Sequence, residues 1–123
     1  MKLFITLSAL VTLLLSNSDC NKKDTVKYKA RLEIKGICMN YTIQLLEGNL
    51  DTSMIAANWT DETTDKYYQN VFALGNPCDF PASINQGEDF YFIIDKDPPK
   101  SCMVCEAYYP VPPKRLLIKV VDP

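Results

Sequence analysis

The chain has 123 residues, five cysteines, no histidine and a formal net charge of −2. Without histidine it cannot build a Ser-His-Asp or Cys-His catalytic centre or a His-ligated metal site. A nearly balanced charge without a basic patch also argues against nucleic-acid binding. No pair of carboxylates stands out as a glycosidase centre. The sequence therefore predicts a protein that is not an enzyme, holds no metal or cofactor and does not bind nucleic acid.

The first 19 residues have the layout of a secretory signal. A basic head at residues 1–2 precedes an apolar run over residues 3–15, which is shorter than the roughly 20 residues that a membrane-spanning helix needs. Two processing routes are open. An ordinary signal peptidase would leave a chain that starts at Asp19 with a free thiol on Cys20, whereas a lipoprotein peptidase would make Cys20 the lipidated first residue.

The number of cysteines favours the lipid. The five are Cys20, Cys38, Cys78, Cys102 and Cys105. An exported chain with an odd number should form an intermolecular disulfide or leave one reactive thiol. A lipid on Cys20 removes that odd thiol, and the other four can form two disulfides in an oxidising compartment. The predicted organisation is a signal peptide over residues 1–19, the lipidated cysteine and a tether over residues 20–25, and a single β-domain over residues 26–123.

Period-two alternation dominates the predicted domain. Residues 26–35 alternate apolar or small side chains with charged ones, which is typical of a strand with one wet face. Residues 54–59 could form a short helix or another strand. Further strands are predicted at 41–46, 68–74, 89–95, 103–109 and 116–121. About six short strands separated by glycine and proline turns predict an all-β fold, either a small antiparallel β-barrel of the oligonucleotide/oligosaccharide-binding (OB-like) type or a sandwich.

Four stretches carry a resemblance to a known group. They read YKARLEIKGICMNYTIQLLEG, NVFALGNPC, GEDFYFIID and CMVCEAYYPVPPKRLLIKVV. Their succession resembles small lipoproteins of Bacteroides-type bacteria whose domains have no known function. The resemblance implies a lipid-anchored, β-barrel-like domain of the outer membrane, either periplasmic or surface-exposed, and supplies no catalytic residue. We therefore expect a binding or structural module that contacts the membrane through its lipid and binds a glycan or an envelope protein.

The Cys102-x-x-Cys105 spacing allows a different function. Such a pair occurs in thiol-disulfide oxidoreductases, where a helix N-terminus activates the first thiol. Here prolines precede the pair and the predicted strand begins at residue 103, so the sequence predicts a loop that enters a strand and not a helix N-terminus. Zinc held by the four domain cysteines is a further alternative. Structural disulfides are favoured, as Cys38–Cys105 and Cys78–Cys102. The first bond would join the turn after the first strand to a late strand, and the second would close the excursion around strand 89–95, although four cysteines allow three connectivities.

Aromatic residues mark the predicted binding surface. They are Trp59, Tyr67, Tyr68, Tyr108 and Tyr109. Exposed rings with polar neighbours can stack on sugars or anchor a protein partner, and the simpler alternative is that these rings fill the core.

An acidic loop lies between the first two aromatic positions. Asp61, Glu62 and Asp65 could offer oxygen ligands to calcium. Their spacing differs from that of a calcium-binding loop, so a solvated loop is favoured.

Overall fold

A computed structural model describes residues 25–123. The predicted signal peptide, Cys20 and tether residues 21–24 lie outside the described residues. Along the described part of the chain, no helix combines the length and the apolar character needed to cross a membrane.

Seven strands and two single-turn 3-10 helices make up the described secondary structure. The strands are β1 (Tyr28–Lys35), β2 (Tyr41–Glu47), β3 (Ala56–Asp61), β4 (Lys66–Leu74), β5 (Asp89–Ile94), β6 (Arg115–Leu116) and β7 (Ile118–Val121). The first 3-10 helix, Ile37–Met39, follows β1, and the second, Pro77–Asp79, follows β4. The stretch at 54–59, which the sequence left open between helix and strand, contributes to β3.

The strands form one sheet in the order β3-β4-β2-β1-β5-β7. All neighbours on this path are antiparallel, and β6 pairs in parallel with the end of β4. The prediction of an all-β antiparallel fold is confirmed, as one sheet of seven strands and not as a sandwich of two. Between residues 25 and 123, the outermost strands β3 and β7 do not pair with each other, so the path of neighbouring strands is open.

The main core lies on one face of this sheet. Leu32, Ile43, Phe72 and Phe92 are fully buried in it, and the rings of Phe72 and Phe92 meet edge to face with centroids 5.8 Å apart. The alternation in β1 explains which side faces inward, because successive side chains of a strand point to opposite faces. Burial of each such side chain contributes about 1.5–3 kcal/mol.

A second apolar cluster lies on the opposite face of the sheet. It consists of Ile34, Ala56, Tyr68 and Val71, with Trp59 and Tyr109 packed against it. The pairing of β1 with β2 shifts register after Leu32, so that Leu32 lies opposite Ile43 but Ile34 lies opposite Thr42. Asn70 in β4 has a φ of 55°. These irregularities place some apolar side chains on the opposite face of strands whose other apolar residues face the main core.

The prediction of a strand over residues 103–109 is wrong. Residues 95–114, between β5 and β6, form no regular secondary structure. Met103 is 98% exposed and Val104 is 48% exposed, so the apolar run has no sheet face to pack on. Prolines at both ends of the segment also remove the backbone donors that a ladder needs. We call residues 95–114 the long loop.

Candidate functional site

Two disulfides hold the long loop on the sheet. Cys105 is bonded to Cys38 in the first 3-10 helix with Cα atoms 4.9 Å apart, and Cys102 is bonded to Cys78 in the second with Cα atoms 5.6 Å apart. These are the two pairs favoured from the sequence. Because Cys102 and Cys105 have different partners, they do not form the bond of a redox pair, and none of the four sulfurs is a free thiolate for zinc. Two disulfides indicate an extracytoplasmic protein.

The acidic stretch forms the turn of the β3–β4 hairpin. The Oδ1 atom of Asp61 accepts hydrogen bonds from the backbone N–H and the hydroxyl of Thr63, at 2.9 and 2.6 Å. Burial acts to raise the pKa of Asp61, but hydrogen bonds from Thr63, Thr64 and Tyr109 together outweigh it and hold the pKa below its ordinary value of 3.8. In residues 25–123 no cluster of three or more histidine, cysteine or acidic side chains is placed to hold a metal ion. Asp61 therefore acts as a turn-forming residue.

Three of the five predicted aromatic residues pack together in the second cluster. Tyr68 is buried and stacks on the partly exposed Trp59 with ring centroids 5.8 Å apart. The ammonium group of Lys66 lies 5.1 Å from the centre of the Tyr68 ring. Tyr109 reaches this cluster from the long loop. Burial raises the pKa of Tyr68. Tyr68 and Tyr109 pack within the apolar cluster, as expected if these rings fill the core.

Tyr67 faces solvent on the other side of the same hairpin. Its ring is 54% exposed. Its hydroxyl donates a hydrogen bond to the side-chain oxygen of Asn58 and accepts one from Gln69 at 3.4 Å. Asn58 pairs with Gln69, and Thr60 pairs with Tyr67, so the four side chains share one surface. We call Asn58, Thr60, Tyr67 and Gln69 the hairpin face.

Tyr108 lies in a different surface that the sequence did not predict. Seven large apolar side chains are exposed among the described residues, and five of them lie within a few residues of Cys38 or Cys105 along the chain. These five are Ile37, Met39, Met103, Val104 and Tyr108, and we call them the apolar tip. Apolar residues flanking cysteines were the available signal, but the strand predicted for residues 103–109 placed them inside a sheet.

Two clefts of about 350 Å³ each adjoin the disulfides. The cleft beside Cys78 is polar, with three aspartates and two lysines in its wall; the Lys100 ammonium lies 3.8 Å from an Asp79 carboxylate oxygen. The cleft beside Cys38 is mainly apolar. Met39, Leu74, Pro77, Val104 and Tyr108 line it, and Glu106 and Arg115 add one charge of each sign.

Comparison with known proteins identifies no relative of the chain. No family, no curated protein and no solved structure matches it. The resemblance to envelope lipoproteins therefore stays a prediction.

Proposed function

We propose that the protein is a binding module of the cell envelope, anchored through a lipid on Cys20, and that the hairpin face binds a glycan. The observation that carries the glycan proposal is the exposed ring of Tyr67, whose hydroxyl is fixed by Asn58 and Gln69. A ring held in one orientation loses little conformational entropy when a ligand stacks on it. The surrounding amides and the Thr60 hydroxyl supply donors and acceptors for sugar hydroxyl groups.

In a barrel-like arrangement of the other strands, the β3–β4 hairpin would project from a rigid support. Only Leu117 separates β6 from β7, yet β6 pairs with β4 and β7 pairs with β5. The backbone N–H of Gly75 donates to Leu116 at 2.9 Å, and that of Asp95 donates to Leu117 at 3.0 Å. These pairings support an OB-like arrangement of β1, β2, β4, β5 and the β6–β7 segment that is not closed into a barrel, since β3 and β7 remain the ends of the strand order within the described residues. In this arrangement β3 and the first half of β4 extend beyond the other strands.

The lipid anchor is supported by the two disulfides. They use all four cysteines of the described residues and leave Cys20 as the odd cysteine of the chain. Mass spectrometry of the membrane fraction should find a mature chain that begins at lipidated Cys20. Cys20→Ala should release a folded protein, because the described sheet contains its core without residues 1–24. An unmodified N-terminus at Asp19 would contradict the anchor.

Glycan binding can be tested on an array with the full chain. Tyr67→Ala should abolish binding, whereas Tyr67→Phe should keep most of it, because the ring remains and only the hydroxyl is lost. Tyr91→Ala is the matched control, since Tyr91 lies on β5, away from the hairpin, with Lys29 near its ring. Binding that survives Tyr67→Ala, or no binding to any glycan, would contradict the proposal.

A thiol-disulfide oxidoreductase is the rival function. The separate partners of Cys102 and Cys105 favour the binding module, because a redox motif needs its two cysteines to bond to each other. Disulfide-reductase activity that disappears in Cys102→Ser would favour the oxidoreductase.

A further inference from the structure

We propose that the apolar tip is a self-association surface and that its occupant is a second copy of this chain. The proposal does not involve the hairpin face, so its failure would leave the proposed glycan binding unaffected. Contiguous apolar side chains on a protein surface commonly mark an interaction site. In this protein they are gathered on two segments, residues 37–39 and 103–108, which the Cys38–Cys105 bond joins.

The tip carries both a projection and a recess. Met103 is 98% exposed and projects next to Val104, and Val104 lines the apolar cleft of about 350 Å³. Methionine is unbranched and flexible, so its side chain adapts to an irregular apolar recess. Two copies related by a twofold axis could each insert Met103 into the cleft of the other, because such an axis places the same surface on both sides of the contact.

Charge complementarity favours a second copy over an unrelated protein. Glu106 and Arg115 both line the cleft, and neither takes part in any of the four ion pairs within residues 25–123. In a twofold pair, each residue that meets a different residue across the axis does so twice. Glu106 of one copy would face Arg115 of the other, and the reciprocal pair would form as well.

The loop that carries the tip is already constrained before association. Cys102 and Cys105 lie on either side of Met103 and are bonded to two different 3-10 helices. A preorganised loop loses less conformational entropy on binding than a free one. Five apolar side chains are nevertheless fewer than the residues of a standard interface, so we expect a dimer with a dissociation constant in the micromolar range or weaker.

Sedimentation velocity over a concentration series tests the proposal. The sample is the full chain, exported as Cys20→Ala so that no lipid is attached. We expect a monomer–dimer equilibrium, and Met103→Asp should raise its dissociation constant at least about 30-fold, as for a central interface residue. Val26→Asp is the matched control, because Val26 is also an exposed apolar residue, 60% accessible, but lies outside the tip. It should leave the equilibrium unchanged.

Charge reversal gives a second readout that a structural role would not produce. Glu106→Arg and Arg115→Glu should each give a monomer, since each places like charges opposite one another twice. An equimolar mixture of the two variants should dimerise again, because both cross-copy pairs are then of opposite sign. Circular dichroism should show that each variant is folded.

Three results would overturn the proposal. They are a monomer at every concentration, an equilibrium that Met103→Asp does not change, and a charge-reversed mixture that stays monomeric. Binding of the monomer to anionic lipid vesicles, lost in Met103→Asp, would assign the tip to a membrane surface instead.

Discussion

Removal of the Cys38–Cys105 bond should destabilise the fold by an amount that follows from the nesting of the two disulfides. This bond spans 67 residues, and the Cys78–Cys102 bond spans 24 residues inside it. With the inner bond intact, subtracting its span leaves an effective loop of about 43 residues. In the chain-entropy model, closing a loop of that length stabilises the folded state by about 4 kcal/mol relative to the unfolded chain. Closing the inner loop contributes about 3.4 kcal/mol.

The double variant Cys38→Ala/Cys105→Ala isolates this effect. For a domain of this size, a loss of about 4 kcal/mol lowers the melting temperature by roughly 15–30 °C. Thermal unfolding followed by circular dichroism under non-reducing conditions measures it, and Cys78→Ala/Cys102→Ala is the matched comparison. A melting temperature within a few degrees of the unmodified protein, or a clearly larger cost for the inner bond, would refute the reasoning from loop length.

Three further variants test single contacts. Asn76→Ala should cost about 2–4 kcal/mol, because the buried Asn76 amide donates to the Ile118 carbonyl at 2.7 Å and accepts from its N–H at 3.0 Å, and both backbone groups would lose their partners; urea unfolding measures this. Phe92→Ala should cost about 3–5 kcal/mol by the same assay, since the fully buried ring would leave a cavity. The lowered pKa of Asp61 means that its charge stabilises the fold above the ordinary carboxyl pKa, and that this contribution is lost as the pH falls through the lower folded-state pKa. Asp61→Asn should therefore flatten the acid side of a plot of unfolding free energy against pH, and an unchanged acid limb would contradict this assignment.

Local patterns predicted most of the strands but failed in the long loop, which disulfides hold in place without strand pairing. The alternation over residues 26–35 predicted β1, because period-two burial is a local property. Glycine and proline turns separated the other predicted strands. Residues 103–109 have the apolar content of a strand, but Met103 and Val104 are exposed and covalent bonds fix the segment. Periodicity cannot distinguish an apolar run that packs on a sheet from one that faces solvent.

The sequence contributed only Tyr67 to the hairpin face. It proposed five aromatic positions as one binding surface, and only the structure separates the exposed Tyr67 from its buried neighbour Tyr68. The left-handed backbone at Asn70 interrupts the alternation in β4, so that Phe72 lies in the main core whereas Tyr68 lies in the second cluster. The apolar tip is assembled from segments more than 60 residues apart in sequence by a bond of separation 67, so no local pattern reveals it.

Gly36 offers a test of how closely the first 3-10 helix, the long loop and the second cluster are packed. A Cβ atom at Gly36 would lie 2.5 Å from the backbone oxygen of Asn40 and 3.1 Å from the Tyr109 ring. The same Asn40 oxygen accepts a hydrogen bond from the Gly36 N–H at 3.2 Å. A backbone oxygen in this turn cannot move away without displacing Cys38, so Gly36→Ala should cost about 3 kcal/mol, the upper part of the range for overpacking.

Gly87→Ala separates this steric cost from the cost of backbone conformation. Gly87 has a φ of +89°, but a Cβ atom added there would meet no other atom within 4 Å, so alanine should cost only about 1–2 kcal/mol of conformational strain. Urea unfolding compares the two free energies. The fluorescence of Trp59, which belongs to the same cluster as Tyr109, should change in Gly36→Ala and not in Gly87→Ala. The contrary result is a larger loss of unfolding free energy for Gly87→Ala, with Trp59 fluorescence unchanged in both variants. It would mean that the long loop moves to accommodate the added methyl group, and that the disulfides, not close packing, hold the loop against the sheet.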